Sequence, residues 1–142
     1  MGQWRVSADI PATVHGPAAA RRVVDAVMRG WRLEPISPDA QLVASELVSN
    51  AIQHAPGGDS VELELLRHAD SLRISLADGS ALKPIVAALD HSRRRGRGMR
   101  IVEALASRWG ADHRPGGKRV WVDLPLPRLP DVTHPGRPTG GL

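Results

Sequence analysis

Two runs of strict alternation, separated by three residues, constrain this chain more than any other feature. From Ser60 to Arg67, Val61, Leu63 and Leu65 fall on one side and Glu62 and Glu64 on the other. From Ser71 to Ala77, Leu72, Ile74 and Leu76 alternate in the same way with Arg73 and Ser75. A period of two is the side-chain repeat of a strand, so each run predicts a strand with one apolar face. His68-Ala69-Asp70 is short enough to fold them back on each other as a hairpin. A hairpin of this kind is stable only when another layer covers its apolar face.

The rest of the chain supplies that layer. Gln3 to Ile10 sets Trp4, Val6 and Ala8 on one side, a first strand that ends at Pro11. Pro17 to about Leu33 predicts a helix with Ala19, Val23, Ala26 and Val27 inward. Ser37 as a hydroxyl cap, with Pro38 in the first turn, starts a second helix that runs to about Ala55 and stops at Pro56-Gly57-Gly58. Residues 81–95 carry no clear period: Ile85 to Leu89 fit a short helix, whereas Pro84 and a cluster of Arg fit a mobile loop. After Gly96-Arg97-Gly98 a third helix is expected to turn Met99, Val102, Leu105 and Ala106 inward, reach Trp109 and stop at Gly110. A last hairpin would join about Ala111–Arg114 to Lys118–Leu124 through Pro115-Gly116-Gly117. The expected class is α+β, a two-layer sandwich with a mixed, mostly antiparallel sheet covered by helices on one face.

At 142 residues the chain is long enough for one domain with a real core. Residues 1–126 read as that domain, and residues 127–142, rich in Pro and Gly, as an extended or disordered tail. With no Phe or Tyr, core volume must come mainly from Val, Leu, Ile and Ala. The absence of Cys excludes disulfides, thiolate metal sites and thiol nucleophiles. There is no apolar signal core at the N-terminus and no run of about 18 apolar residues, so a cytoplasmic protein without a membrane span is expected. The net charge of +4 is locally dense at Arg93, Arg94, Arg95, Arg97 and Arg100. Such a cluster suits phosphate; with no aromatic residue interleaved, nucleic acid is not the expected partner.

The residues that suggest chemistry lie in ELVSNAIQHA, Glu46 to Ala55. At helical pitch Glu46, Asn50 and His54 form one stripe beside the apolar arc of Val43, Ala44, Leu47 and Ala51. A carboxylate and an amide at the edge of a buried face are costly unless paired or used. Asn offers an oxygen for a hard cation, and Glu in a partly dry cleft suits a general base. Taken alone, these residues fit a polar, solvated helix boundary better. Three further features follow in order: Asp78-Gly79 at a strand end, Gly96-Arg97-Gly98 opening a helix, and Gly116-Gly117-Lys118 before the last strand. If a nucleotide binds, Asp78 can accept from the exocyclic amine of adenine, and Gly79 allows the backbone close to the base. Gly96 and Gly98 expose amides at a helix start, where phosphate is favoured. Asp-Gly is also a common turn, and Gly-x-Gly a common flexible loop.

This ordered set resembles the GHKL ATPase superfamily, the fold of gyrase, of histidine-kinase catalytic domains and of mismatch-repair ATPases. The nearest resemblance is to stand-alone anti-sigma factor serine/threonine kinases of bacteria and to small actinobacterial-type ATP-binding regulators. Glu46 and Asn50 match the family's Glu-x-x-x-Asn box, Asp78-Gly79 its adenine box, and residues 96–110 its second glycine box; residues 116–126 look like its closing strand. The resemblance spans about residues 4–126. It implies ATP and magnesium as cofactors, Glu46 as general base and Asn50 as magnesium ligand. It implies a nucleotide site drawn from Asn50, His54, Asp78, Gly79, Arg95, Gly96, Arg97, Gly98, Met99 and Lys118. It further implies a sigma factor and an anti-anti-sigma-factor-like protein as partners; a homodimer is left open. The adenine box departs from the usual pattern at Ala81, where a second glycine is common. Two functions stay open at this point: a serine/threonine protein kinase of a partner-switching pathway, and a non-catalytic nucleotide-sensing module.

Overall fold

The computed structural model describes residues 4–54, 59–78, 97–114 and 117–127. Within these residues five strands and three helices follow in the order β1 (Trp4–Pro11), α1 (Gly16–Gly30), α2 (Ser37–His54), β2 (Ser60–Arg67), β3 (Ser71–Asp78), α3 (Arg97–Leu105), β4 (Arg108–Arg114) and β5 (Gly117–Pro125). A 3-10 turn, Glu34–Ile36, leads into α2. The strands form one sheet in the order β1-β2-β3-β5-β4, and all four pairings are antiparallel.

The two alternating runs pair as their pattern requires, Leu63 opposite Leu76 and Leu65 opposite Ile74. His68 N–H donates to the Ser71 carbonyl at 2.8 Å and closes the hairpin. Val120, Val122 and Leu124 continue the same apolar face across β5. The helices cover this face. α2 lies over it, touching β2, β3 and β5, and packs along α1 on one side and α3 on the other.

Small side chains set the close fit of the two long helices. The wholly buried stripe of α1 is Gly16, Ala20, Val24 and Met28, at a strict spacing of four, with Ala19, Val23 and Val27 packed beside it. This corrects the expected inner face by one position, and Ala26 is exposed. A Cβ on Gly16 would collide with the Pro11 carbonyl oxygen and crowd Val48 and Ile52, both at 3.1 Å. Glycine is therefore demanded by the approach of β1 and α2.

Ser37 is not a cap. Its backbone is already helical, with φ −57° and ψ −44°, because the 3-10 turn precedes it and leaves no free end for its hydroxyl to cap. Its hydroxyl instead donates to Asp25 Oδ1 on α1 at 3.0 Å, and Gln41 Nε2 donates to that hydroxyl at 3.0 Å. Arg29 Nε donates to Asp25 Oδ2 at 2.9 Å. The Arg29 and Ser37 hydrogen bonds hold the Asp25 carboxyl below its ordinary value. This polar clasp joins the two helices where their apolar seam ends.

The third helix is also shorter than its pattern suggests. It ends at Leu105, and Trp109 and Gly110 belong to β4. Ser107 redirects the chain: its N–H and hydroxyl both donate to the Asp123 carbonyl, at 2.8 and 3.2 Å. From there Trp109 and Ala111 alternate opposite Val122 and Val120, a strand period that overrides the helical one. Gly110 is not a helix stop. It lies opposite Trp121, whose ring occupies the space of a side chain; a Cβ there would sit 2.7 Å from Trp121 Cζ2.

The face of the sheet away from the helices carries charge rather than a second apolar layer. Asp123, 2% exposed, accepts from Arg73 Nε at 2.7 Å and Arg73 Nη2 at 2.9 Å, and from Arg108 Nη2 at 3.2 Å. The Arg73 guanidinium also lies 4.1 Å from the centroid of the Trp121 ring. Burial pushes the Asp123 carboxyl upward, but the hydrogen bonds from Arg73 and Arg108 prevail and hold it below the usual value.

Two outcomes follow from these contacts. Gly110→Ala should destabilise the fold by about 1–3 kcal/mol, the usual cost of overpacking, because the indole must leave its place. Gly30→Ala, where a Cβ meets nothing within 4 Å, should instead stabilise by about 0.5–1 kcal/mol; urea denaturation of the pair reads both signs. Because the folded pKa of Asp123 is depressed, its contribution is complete above the unfolded value near 3.8 and lost as pH falls through the folded value. Asp123→Asn should therefore lower thermal stability near neutral pH, and the gap from wild type should close in strong acid. A gap unchanged with pH would show that the carboxylate charge is not what stabilises this face.

Candidate nucleotide site

Antiparallel pairing gathers particular chain ends at one edge of the sheet. Pro11 at the end of β1 lies opposite Ser60 at the start of β2. At the same end, β3 finishes at Asp78 and β5 begins at Gly117. α2 arrives there as well, since its last residue, His54, is joined to β2 by the short stretch up to Ser60. Ala12 N–H donates to the Asp59 carbonyl at 3.0 Å and ties β1 to this end.

The expected site residues are placed as follows. Glu46 and Asn50 stand one turn apart on α2, and both are half-buried at the border of the apolar face. Their neighbours Val43, Leu47, Val48 and Ala51 are buried, so the pair cannot turn fully to solvent without exposing the core. Among the described residues nothing hydrogen-bonds or ion-pairs with the Glu46 carboxylate, whereas Asn50 is engaged by a partner. Asp78 and Lys118 are direct partners in the β3–β5 ladder, two positions beyond the pair Leu76 and Val120. Two residues 40 positions apart, singled out on separate grounds, thus occupy one register position. Lys118 is only 9% exposed, and its side chain too is engaged.

His54 ends α2, and Arg97, Gly98 and Met99 form the first turn of α3; at these four positions and at Asp78 the backbone alone is described. α3 packs on α2 through the fully buried Val102. Gly79, Arg95 and Gly96 lie outside the described residues, as does the short helix or mobile loop expected within residues 81–95. Among the described residues no three His, Asp or Glu side chains are grouped to hold a metal. Among them also, no helix is long and apolar enough to cross a membrane.

A well-formed cavity of about 400 Å³ lies elsewhere, at the opposite end of the sheet. Arg32, Leu33, Ile36, Arg67, Asp70 and Leu126 line it. No periodicity marks these residues. They come from a helix end, a 3-10 turn, a hairpin and the end of β5, and only folding brings them together.

Comparison with known proteins matches the fold. No curated protein matches the chain. Among solved structures, a chain holding the RsbU and RsbW domains of a Mycobacterium tuberculosis protein superposes with a TM-score of 0.63 at 19% identity, covering 89% of this chain and 33% of that one. The histidine kinase domain of a blue-light activated histidine kinase from Erythrobacter litoralis superposes with a TM-score of 0.52 at 21% identity, covering 82% of this chain and 62% of that one. This chain therefore spans a third of the first protein's length and under two thirds of the second's. The family model of the histidine kinase-like ATPase domain matches residues 10–124, from the last buried residue of β1 to the end of the apolar run of β5. The chain belongs to the histidine kinase-like ATPase domain family, the GHKL ATPases, and membership implies that it binds ATP.

Proposed function

We propose that this protein is an ATP-dependent serine/threonine protein kinase of a partner-switching pathway in the bacterial cytoplasm. In one state it binds a sigma factor; in another it phosphorylates an anti-anti-sigma-factor-like protein. The observation that carries the reading is Glu46. A half-buried carboxylate without a hydrogen-bond or ion-pair partner among the described residues, one turn from an amide on the same helix, is held for use rather than for stability. The fold shared with a chain that includes an RsbW domain is in keeping with it. We take residues 1–126 as the working domain, since Leu126 still packs on the core and donates its N–H to the Asp70 carbonyl at 3.0 Å. Residues 127–142 are its tail.

The roles follow from position. Asp78 accepts from the adenine amine. His54 borders the nucleotide, as do Gly79, Arg95, Gly96, Arg97, Gly98 and Met99; the last three, opening α3, offer backbone N–H groups to phosphate. Lys118, across the ladder from Asp78, contributes positive charge at the same end of the sheet. A half-buried amide oxygen fits magnesium, which keeps waters and phosphate oxygens as its other ligands and needs no all-protein cage. Asn50 would hold that ion, which when bound neutralises charge on the phosphates. Glu46 takes the proton from the acceptor hydroxyl as its oxygen bonds to the γ-phosphorus and ADP departs.

Nucleotide choice tests the adenine contact. ATP and ADP should bind with magnesium and GTP poorly, and Asp78→Asn should weaken ATP at least about tenfold, the loss of one charge-assisted hydrogen bond. Equal calorimetric affinities for ATP and GTP would sink the Asp78 assignment. Labelled ATP with a candidate anti-anti-sigma protein tests the chemistry. Glu46→Ala should bind ATP near wild type and transfer no phosphate, because a base acts on the transition state; Asn50→Ala should impair both. If Glu46→Ala still transfers phosphate, the catalytic reading fails, and a nucleotide-sensing module that controls partner binding replaces it.

A further inference from the structure

The end of the sheet remote from the nucleotide site holds a second feature that the proposed kinase activity does not use. α1 closes there in a Schellman arrangement. Leu33 N–H donates to the Met28 carbonyl at 2.7 Å, and Arg32 N–H to the Arg29 carbonyl at 3.2 Å. The residue between these bonds must be left-handed, and glycine is the usual choice. Here it is Arg32, with φ 60°. An arginine held in that conformation is less stable than glycine would be, yet among the described residues its guanidinium makes no hydrogen bond or ion pair. Nothing in the fold itself explains it.

What Arg32 does is line the 400 Å³ cavity, a volume in the range of small-molecule sites. Leu33, Ile36 and Leu126 give it an apolar wall. Arg67, on the other side, is held with its guanidinium 4.9 Å from the centroid of the Trp4 ring and has no carboxylate partner among the described residues. Trp4 in turn packs on Trp31 at 5.8 Å, so Arg67 is braced on an indole pair whose second member precedes Arg32 in the chain. Among the described residues of the lining Asp70 is the only acid, which leaves them with one net positive charge. The geometry points to a binding site for a small monocarboxylic acid with an apolar body, its carboxylate held by Arg32 and Arg67 and its body against Leu33, Ile36 and Leu126. A single negative charge neutralises the lining, whereas a dianion brings excess charge toward Asp70. The site lies about 25 Å from Asp78, the span of β3 at some 3.3 Å per residue, so it is separate from the nucleotide.

The indoles report occupancy directly. In the full chain, 3-phenylpropanoate at millimolar concentration should shift the indole N–H resonances of Trp4 and Trp31 and leave those of Trp109 and Trp121 in place. The neutral 3-phenylpropanamide should bind at least about tenfold more weakly, as expected for loss of a charge-assisted contact, and phenyl phosphate no more tightly than the acid. Arg32→Gly should weaken the acid at least about tenfold while keeping or raising the melting temperature, because glycine suits the left-handed position. Arg67→Gln provides a second charge deletion with the strand pairing intact, and neither variant should alter ATP affinity. The proposal is overturned if the amide binds as well as the acid, if both variants bind the acid like wild type, or if neither 3-phenylpropanoate nor octanoate moves the two indoles. Because ATP affinity is read in parallel, failure here is distinct from failure of the kinase reading.

Discussion

The structure depends on keeping one face of a five-stranded sheet dry. Leu63, Leu65, Ile74, Leu76, Val120 and Val122 are each almost wholly excluded from solvent, and at about 25 cal/mol per Å² of buried apolar surface such a layer dominates the folding energy. It stays dry only because α2 lies across the three central strands. The bulk of α2 is mostly small or medium, Ala40, Val43, Ala44, Val48 and Ala51, so it sits close to both the sheet and α1. Close seating leaves little width for its polar residues. Glu46 and Asn50 are thereby caught at the margin, half in and half out. Their placement is a by-product of how tightly the helix is laid down.

The opposite face shows a different solution to covering a sheet. Among the described residues no second helical layer covers it; Arg119 reaches Glu62 at 3.0 Å and Glu64 at 3.6 Å, and Arg5 meets Glu64 at 3.3 Å. Further along, Arg73 and Arg108 enclose Asp123 and stack over Trp121. Long arginine stems cover apolar ground while their heads stay paired. Exposed pairs of this kind add little, but the Asp123 cluster is anchored by a buried carboxylate with three donors, where loss of the charge is felt. Arg119 Nη1 remains buried without a hydrogen bond; its attraction to Glu64 at 3.6 Å is the compensation available to it.

The two proposed sites lie at opposite ends of the sheet. At one end lie the last residue of α2, the last residue of β3 and the first residues of β5, where the ATP site is proposed. At the other, a left-handed arginine and a second arginine braced on Trp4 overlook an apolar cavity. The central strands β2, β3 and β5, well buried and paired along their length, run between the two ends.

Much of this was legible in the chain because it depends on period and order. The strict alternation of Val61 to Leu65 and of Leu72 to Leu76 determined β2 and β3, and the Pro-Gly-Gly stop after α2 agrees with the end of that helix at His54. The positions of Glu46, Asn50, Asp78 and Lys118 were equally visible, since each sits at a helix margin or a strand end. What periodicity could not decide was settled by contacts between segments far apart in sequence. Trp109 and Gly110 fit a helix end until Asp123 captures Ser107 and Trp121 takes the space over Gly110. Ser37 fits a cap until Asp25, twelve residues earlier, claims its hydroxyl. The inner face of α1 is chosen by Gly16, because only glycine fits beneath the Pro11 carbonyl. Local sequence determined which elements form. Tertiary packing decided where they end, which way they face, and that Asp78 and Lys118 meet across one ladder while Arg32 and Arg67 meet over one cavity.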